Sequence, residues 1–191
     1  HIDDDIINMA KKILNEKKIE YENIEIYRKS LDARRENNIH YLCSVVFDAE
    51  INKECFEENL DFREFKQINI DGIVSKQTPT KKVVVVGTGP CGLFSAYLLA
   101  KSGLSPIVFE RGADVDTRTK IVNDFWKNNK LNQNTNVQFG EGGAGTFSDG
   151  KLTTRIGDPL QRVVLETFVK FGAPEDILYK AKPHIGTDKL K

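Results

Sequence analysis

The chain has 191 residues, with 28 Lys+Arg against 28 Asp+Glu and so a formal net charge of zero. Its 39% hydrophobic and 29% charged content describes one ordinary globular domain or two small ones rather than a disordered tail. The charge balance argues against wholesale binding to nucleic acid or anionic membrane, and no apolar run approaches the roughly 18 residues of a membrane span.

Cys43, Cys55 and Cys91 form an odd set without C-x-x-C spacing. That pattern points to a reducing, cytoplasmic setting and against a disulfide framework or a zinc site. The global zero hides two unlike pieces. Of 14 glycines only Gly72 precedes residue 81, and of 6 prolines only Pro79 does. Residues 1–80 carry 12 basic and 17 acidic side chains, a balance of −5; residues 81–191 carry 16 and 11, a balance of +5. The polar run Gln77-Thr78-Pro79-Thr80 suits a linker. The expected division is a small α+β domain over residues 1–76, a linker over 77–81 and a second domain over 82–191. Their opposite charges favour docking of one on the other, though only weakly. The chain opens on His1 and holds one methionine, Met9, so the expectation is an N-terminal fragment of a longer protein.

In the first piece, Asp3-Asp4-Asp5 precede apolar residues at Ile6, Ala10, Ile13 and Leu14, the spacing of a helix with acids at its positive end. Ile24 and Ile26 alternate with polar residues, and Ile39, Tyr41, Cys43, Val45 and Phe47 mark one face of a second strand. The charged segment 31–38 between them predicts a hairpin, and the polar stretch 29–35 reads as its solvated tip rather than an interaction site. Residues 52–65 are expected to form a second helix, with Cys55, Phe56, Leu60 and Phe65 inward. Nothing in this piece carries a catalytic signature.

The second piece opens with Lys81 and Lys82 and four valines, the run of a buried parallel strand. Gly87, Gly89 and Gly92 follow with G-x-G-x-x-G spacing. Gly87 allows the tight turn out of the strand, Gly89 lets the backbone approach a diphosphate, and Gly92 lets the next helix pack close to the strand. Ala96, Leu98 and Leu99 continue that helix, and Gly103 stands where it should end. A second strand over 106–109 ends at Glu110, 18 residues after Gly92. An acid there accepts hydrogen bonds from ribose hydroxyls and repels a 2′-phosphate, which disfavours NADP. The helix N-terminus offers N–H groups to the diphosphate. This is a dinucleotide fingerprint, and by itself it leaves FAD and NAD open.

Two later features bear on that choice: Arg111-Gly112 directly after Glu110, and five glycines within GEGGAGTFSDG at residues 140–150. With them the sequence resembles the FAD-dependent oxidoreductases of the glutathione-reductase-like, two-dinucleotide-fold superfamily. VVGTGPCGLFSAYLLAKSG, VFERG, Phe125-Trp126-Lys127 and NVQFGEGGAGTFSDGKLTTR are similar to an uncharacterised group of bacterial predicted FAD-dependent dehydrogenases. That group carries a small α/β domain ahead of its flavin domain. The resemblance covers about residues 24–191, most strongly 83–155. It implies an incomplete Rossmann-like FAD-binding domain behind the small α+β domain. Gly87, Gly89, Pro90 and Gly92 would cradle the diphosphate, Glu110 would hold the adenosine ribose and Arg111 would lie at the adenine end. Gly142, Gly143, Thr146 and Ser148 would approach the diphosphate or flavin, and Lys151 would offset diphosphate charge or remain solvated. The implied function is hydride or electron-pair transfer with an unknown small-molecule substrate and a nicotinamide donor. This chain alone is expected to bind FAD poorly and to be inactive, because the resembling enzymes need further strands and a substrate domain.

Other features are weaker. Cys91 takes a position where Ala is usual and reads as a small buried residue, with a helix-terminal reactive thiol as the alternative. Residues 145–151 fit the spacing of a nucleotide-hydrolase phosphate loop, but Leu152 replaces the required Ser or Thr and no apolar strand precedes it. Ile121, Val122, Phe125 and Trp126 lie on one helical face, with Trp126 expected in the core. Asp158-Pro159 opens a helix bearing Leu160, Val163, Val164, Phe168 and Phe171. A short helix over 173–180 should follow. His184, alone in a loop, reads as non-catalytic, and no metal cluster is visible. The alternatives to the flavoenzyme are an NAD-binding dehydrogenase fragment and a non-catalytic nucleotide-binding adaptor.

Overall fold

The computed structural model describes residues 2–50, 62–76, 78, 80–154, 156–186 and 188–190. Its elements, in order, are α1 (Ile2–Glu16), β1 (Glu22–Asp32), β2 (His40–Asp48), α2 (Ile70–Ile73), β3 (Val84–Val86), α3 (Pro90–Lys101), β4 (Ile107–Phe109), α4 (Val115–Asn128) and α5 (Leu160–Lys170). Two 3₁₀ turns, Gly143–Phe147 and Glu175–Leu178, complete the set. The architecture is mixed α/β, with a small helix-and-hairpin region ahead of a Rossmann-like one.

The chain divides into two compact units, His1–Gln67 with Thr153–Val169 and Pro174–Pro183, and Ile68–Leu152 with Lys170–Ala173 and His184–Lys191. Residues 153–169 and 174–183 thus group with the first piece rather than with the nucleotide fold that precedes them. For 174–183 the reason is backbone pairing, Lys29 N donating to Tyr179 O and Ala181 N to Lys29 O, and Arg162 ties α5 to that segment by donating to Leu178 O at 2.8 Å.

In the first unit β1 and β2 form the expected antiparallel hairpin, with Leu31 opposite Tyr41 and Asp32 opposite His40. The strand persists through Asp32, two residues into the segment assigned to the turn. Asp3 lies in the first turn of α1 with Asp4 and Asp5, as expected, and also accepts from Lys29 Nζ and from Tyr179 Oη at 3.2 Å. These bonds hold its carboxyl below its ordinary value, the Lys29 bond most. In the helix α5, Asp158 accepts from Leu160 N at 2.8 Å, the expected cap. Val163 and Leu165 are buried, but Leu160 and Phe171 are exposed, so the apolar stripe is only partly used. The expected helix over 173–180 is the 3₁₀ turn Glu175–Leu178. The expected helix over 52–65 lies outside the described residues through 61, and 62–65 are not helical. Gln77 and Pro79 of the linker also lie outside the described residues.

In the second unit β3 and β4 pair in parallel, Val84 with Ile107 through Val86 with Phe109, joined by α3 as a βαβ unit. The expectation of a buried strand is corrected here. Val86 is 84% exposed and Val84 and Phe109 are exposed too, Val84 and Val86 sharing one face of the strand. Val85 alone turns inward, toward Gly92. Helix α3 ends at residues 102–104, where Leu104 N bonds back to Leu99 O at 3.1 Å around Gly103. No helix among the described residues is long and apolar enough to cross a membrane.

Candidate nucleotide-binding site

The site starts where β3 stops. Gly87 takes φ +92°, a left-handed conformation that L side chains rarely adopt, and its N–H donates to Phe109 O at 2.7 Å. The turn therefore stays tied to the neighbouring strand. A Cβ on Gly92 would fall on the Gly87 carbonyl oxygen, so α3 can lie this close to the loop only with glycine there. A Cβ on Gly87 or Gly89 would instead meet nothing within 4 Å. Gly89 is the N-cap of α3 with Pro90 next, and no side chain among the described residues caps that end. Its first N–H groups and positive dipole end face the space the open glycines leave. The loop thus offers open space and free backbone donors at a helix N-terminus.

Glu110 leaves β4 beside the loop. Its Oε2 accepts from Thr88 N at 2.7 Å and Thr88 Oγ1 at 2.9 Å, and Oε1 accepts from Gly112 N at 2.8 Å. Those donors, the Gly112 N–H foremost, hold the carboxyl below its ordinary value, so it is an anion with acceptor capacity left for ribose hydroxyls. Arg111 stacks its guanidinium on the Phe139 ring, 4.4 Å from the centroid.

The second glycine segment folds back onto the first. Gly142 N donates to Thr88 O at 2.9 Å, and a Cβ on Gly143 would touch Gly89 Cα and Pro90 Cδ at 3.3 and 3.2 Å. Residues 87–92, 110–112 and 140–143, far apart in sequence, thus form one cradle. Thr146 is buried with its hydroxyl committed inward, donating to Glu141 O at 3.2 Å and accepting from Arg118 Nη1 at 3.3 Å. Ser148 Oγ accepts from Gly150 N at 3.1 Å, and Lys151, 74% exposed at its side chain, pairs with Asp149 at 2.8 Å. Among the described residues, the side-chain bonds of these last two stay within residues 148–151. Residues 145–151 form a 3₁₀ turn and loop, not the strand-to-helix crossing of a phosphate loop.

Three residues outside the sequence reading build this site. Arg118 on α4 is 0% exposed. Its Nε donates to Asn136 O at 2.9 Å, Nη2 to Val137 O at 2.9 Å, and Nη1 to Gly140 O, Glu141 O and Thr146 Oγ1. Burial pulls its guanidinium below its usual value while the Glu110 charge opposes that shift. Glu141 accepts from Val115 N at 2.7 Å at the start of α4, beside the Asp114 cap. Thr135, buried, accepts from Ala113 N at 3.0 Å. A signal for Arg118 was present: it stands three and four residues before Ile121 and Val122, a charge on an apolar stripe.

Two expectations about packing are corrected. Cys91 is exposed rather than filling a buried Ala-sized space, since it lies at the open first turn of α3. Trp126 is 58% exposed and meets Phe147 edge-on at 6.1 Å, whereas Arg118 on the same helix is buried with its guanidinium over the Phe147 ring. His184 is exposed and bridges Lys151 through the backbone. No cluster of metal ligands occurs among the described residues.

Residues 85–136 match the family model described as an NAD(P)-binding Rossmann-like domain. Over the whole chain the sequence is 46% identical to an uncharacterised protein of Clostridium beijerinckii, of which it spans 37%. It is 34% identical over 92 residues to the L-amino-acid oxidase of Crotalus adamanteus, a match covering 44% of this chain and 17% of that protein. The L-amino-acid oxidase of Bothrops atrox matches at the same identity over 44% of this chain and 18% of its own length. The second unit therefore contains a Rossmann-like nucleotide-binding fold over residues 85–136.

Proposed function

We propose that the cradle binds FAD and that the chain supplies the nucleotide half of a flavin-dependent oxidoreductase. The observation that carries this reading is the docking of the second glycine segment on the first, through Gly142 N to Thr88 O and Gly143 against Gly89 and Pro90. An NAD site needs only the first loop and the acid after β4; a second glycine-rich wall beside the diphosphate suits a longer cofactor with a flavin end. Similarity to L-amino-acid oxidases supports the same choice.

Gly87, Gly89, Pro90 and Gly92 would hold the diphosphate on the α3 N-terminus, Glu110 the ribose, and Arg111 with Phe139 the adenine end. Gly142 and Gly143 would border the flavin side. Bound FAD would supply hydride or electron-pair exchange, with the protein providing orientation and electrostatics. Thr146 serves the frame behind this wall, its hydroxyl already satisfied. Along the sequence, domains are proposed at residues 1–76 and 82–191, with residues 153–169 and 174–183 grouping in space with the first compact unit.

One observation favours NAD instead: the family model matched by residues 85–136 is described by that nucleotide. Fluorescence titration of the chain with FAD and with NADH decides between them. This chain alone is expected to bind both weakly, FAD more tightly than NADH. The reverse order would overturn the flavin reading, and no binding of either at millimolar concentration would overturn both.

A further inference from the structure

Arg118 is a buried cation whose hydrogen-bond partners are the carbonyls of Asn136, Val137, Gly140 and Glu141 and the hydroxyl of Thr146. Every partner belongs to the stretch that carries the second glycine segment. A guanidinium has five N–H donors in a fixed planar fork, and here the fork is spent on backbone. Its face is covered as well: the Phe147 ring lies 4.9 Å from its central carbon. Residues 133–140 form no helix or strand, so their carbonyls lack a ladder to satisfy them, and Arg118 stands in for one. The same stretch then delivers Gly142 to Thr88 O and Gly143 to Gly89 and Pro90.

We infer that Arg118 is the positioning residue of the nucleotide site, holding the second glycine segment against the first through backbone carbonyls without touching the nucleotide. The inference rests on the dinucleotide reading of the cradle. Its chemistry is specific to the fork. A lysine keeps the charge but presents three donors from one atom and cannot span acceptors from Asn136 to Thr146. Methionine keeps much of the volume and none of the donors. Both substitutions should therefore release the segment, whereas a role in charge alone would be restored by lysine.

The test uses the full chain with Arg118→Lys and Arg118→Met, read by hydrogen exchange over residues 136–147 and, as internal reference, over α3. Exchange in 136–147 should quicken at least about tenfold in both variants while α3 keeps its protection. FAD affinity should fall at least about tenfold in parallel. Unchanged exchange over 136–147 would overturn the inference, as would recovery by lysine. Equal acceleration of α3 would also overturn it, since Arg118 would then support the whole unit. Loss of FAD affinity with unaltered exchange would place Arg118 on the nucleotide itself, against the proposal. Should either variant fail to fold, Thr146→Val removes one of the fork's acceptors and should shift exchange in the same direction by a smaller factor. The exchange measurement needs no nucleotide. If the parent chain binds neither FAD nor NADH, the nucleotide reading fails while exchange still decides what Arg118 holds.

Discussion

At Gly87 and Gly89 an added Cβ would meet nothing within 4 Å, whereas at Gly140 it would meet Arg118 Cδ at 2.6 Å and at Gly142 the Thr146 hydroxyl. In the first segment Gly87 and Gly89 leave room outside the protein's own packing, while Gly92 lets α3 lie against the loop. The second uses glycine to bring its own atoms closer than a side chain would permit, around a buried arginine. Gly112 belongs with the second kind, its Cα face set against Gly140 N and Asn134 O at distances of 2.7 and 2.8 Å from an added Cβ. Glycine richness therefore marks two different physical needs in one site. Only the first is a direct statement about ligand.

That difference can be broken by substitution. Gly112→Ala forces backbone against backbone, with no flexible side chain to yield, and should cost about 3 kcal/mol. Urea unfolding checks it; an unchanged midpoint would mean the two loops are not packed this tightly. Gly89→Ala should behave in the opposite way. Gly89 has φ −68°, open to any residue, and its Cβ would enter free space. Stability should stay within about 0.5 kcal/mol while FAD affinity drops at least about tenfold. A variant that binds FAD normally would show that the diphosphate does not lie over Gly89.

The first loop was legible because its rule is local: a valine run, three glycines at fixed spacing and an acid at the next strand end. The hairpin was legible for the same reason, through period-two alternation from Ile39 to Phe47. The exposure of Val84 and Val86 was not, since burial of a strand depends on neighbours its own residues do not name. Trp126 misled in the same way. On its helix Arg118 is buried and Trp126 exposed, and no propensity scale places a charge in a core. Glu141 and Thr135 were illegible because their partners, Val115 N and Ala113 N, lie 26 and 22 residues away. Thr146 was expected near the cofactor, but its hydroxyl is spent on Arg118 and Glu141. Only the three-dimensional neighbourhood distinguishes a hydroxyl that faces ligand from one that faces frame.

Glu110 links the two glycine segments' functions, since it ties the first loop to Gly112. Glu110→Gln removes the charge from three hydrogen bonds and should cost about 1–2 kcal/mol at neutral pH. The pH dependence follows from the depressed carboxyl. Its contribution is complete above the ordinary value of 4.5 and is lost as pH falls through the lower folded-state value. The parent and variant chains should therefore differ in urea midpoint at neutral pH and converge in strong acid. A constant difference down to about pH 3 would mean that Glu110 titrates lower still or that charge is irrelevant to the bond.

The smallest effect should come from the far end of the second segment. Lys151 and Asp149 form an exposed pair, 74% and 49% open at their side chains, where water competes for both ions. Lys151→Ala should leave the urea midpoint unchanged and alter FAD affinity by less than about threefold. A larger loss that fades as salt is raised would show the ammonium to be neutralising the diphosphate, since screening weakens a long-range charge term and leaves packing alone. The second segment would then contribute charge to the ligand as well as a wall, and its glycine-packed half and its lysine end would have to be treated as separate parts of the site.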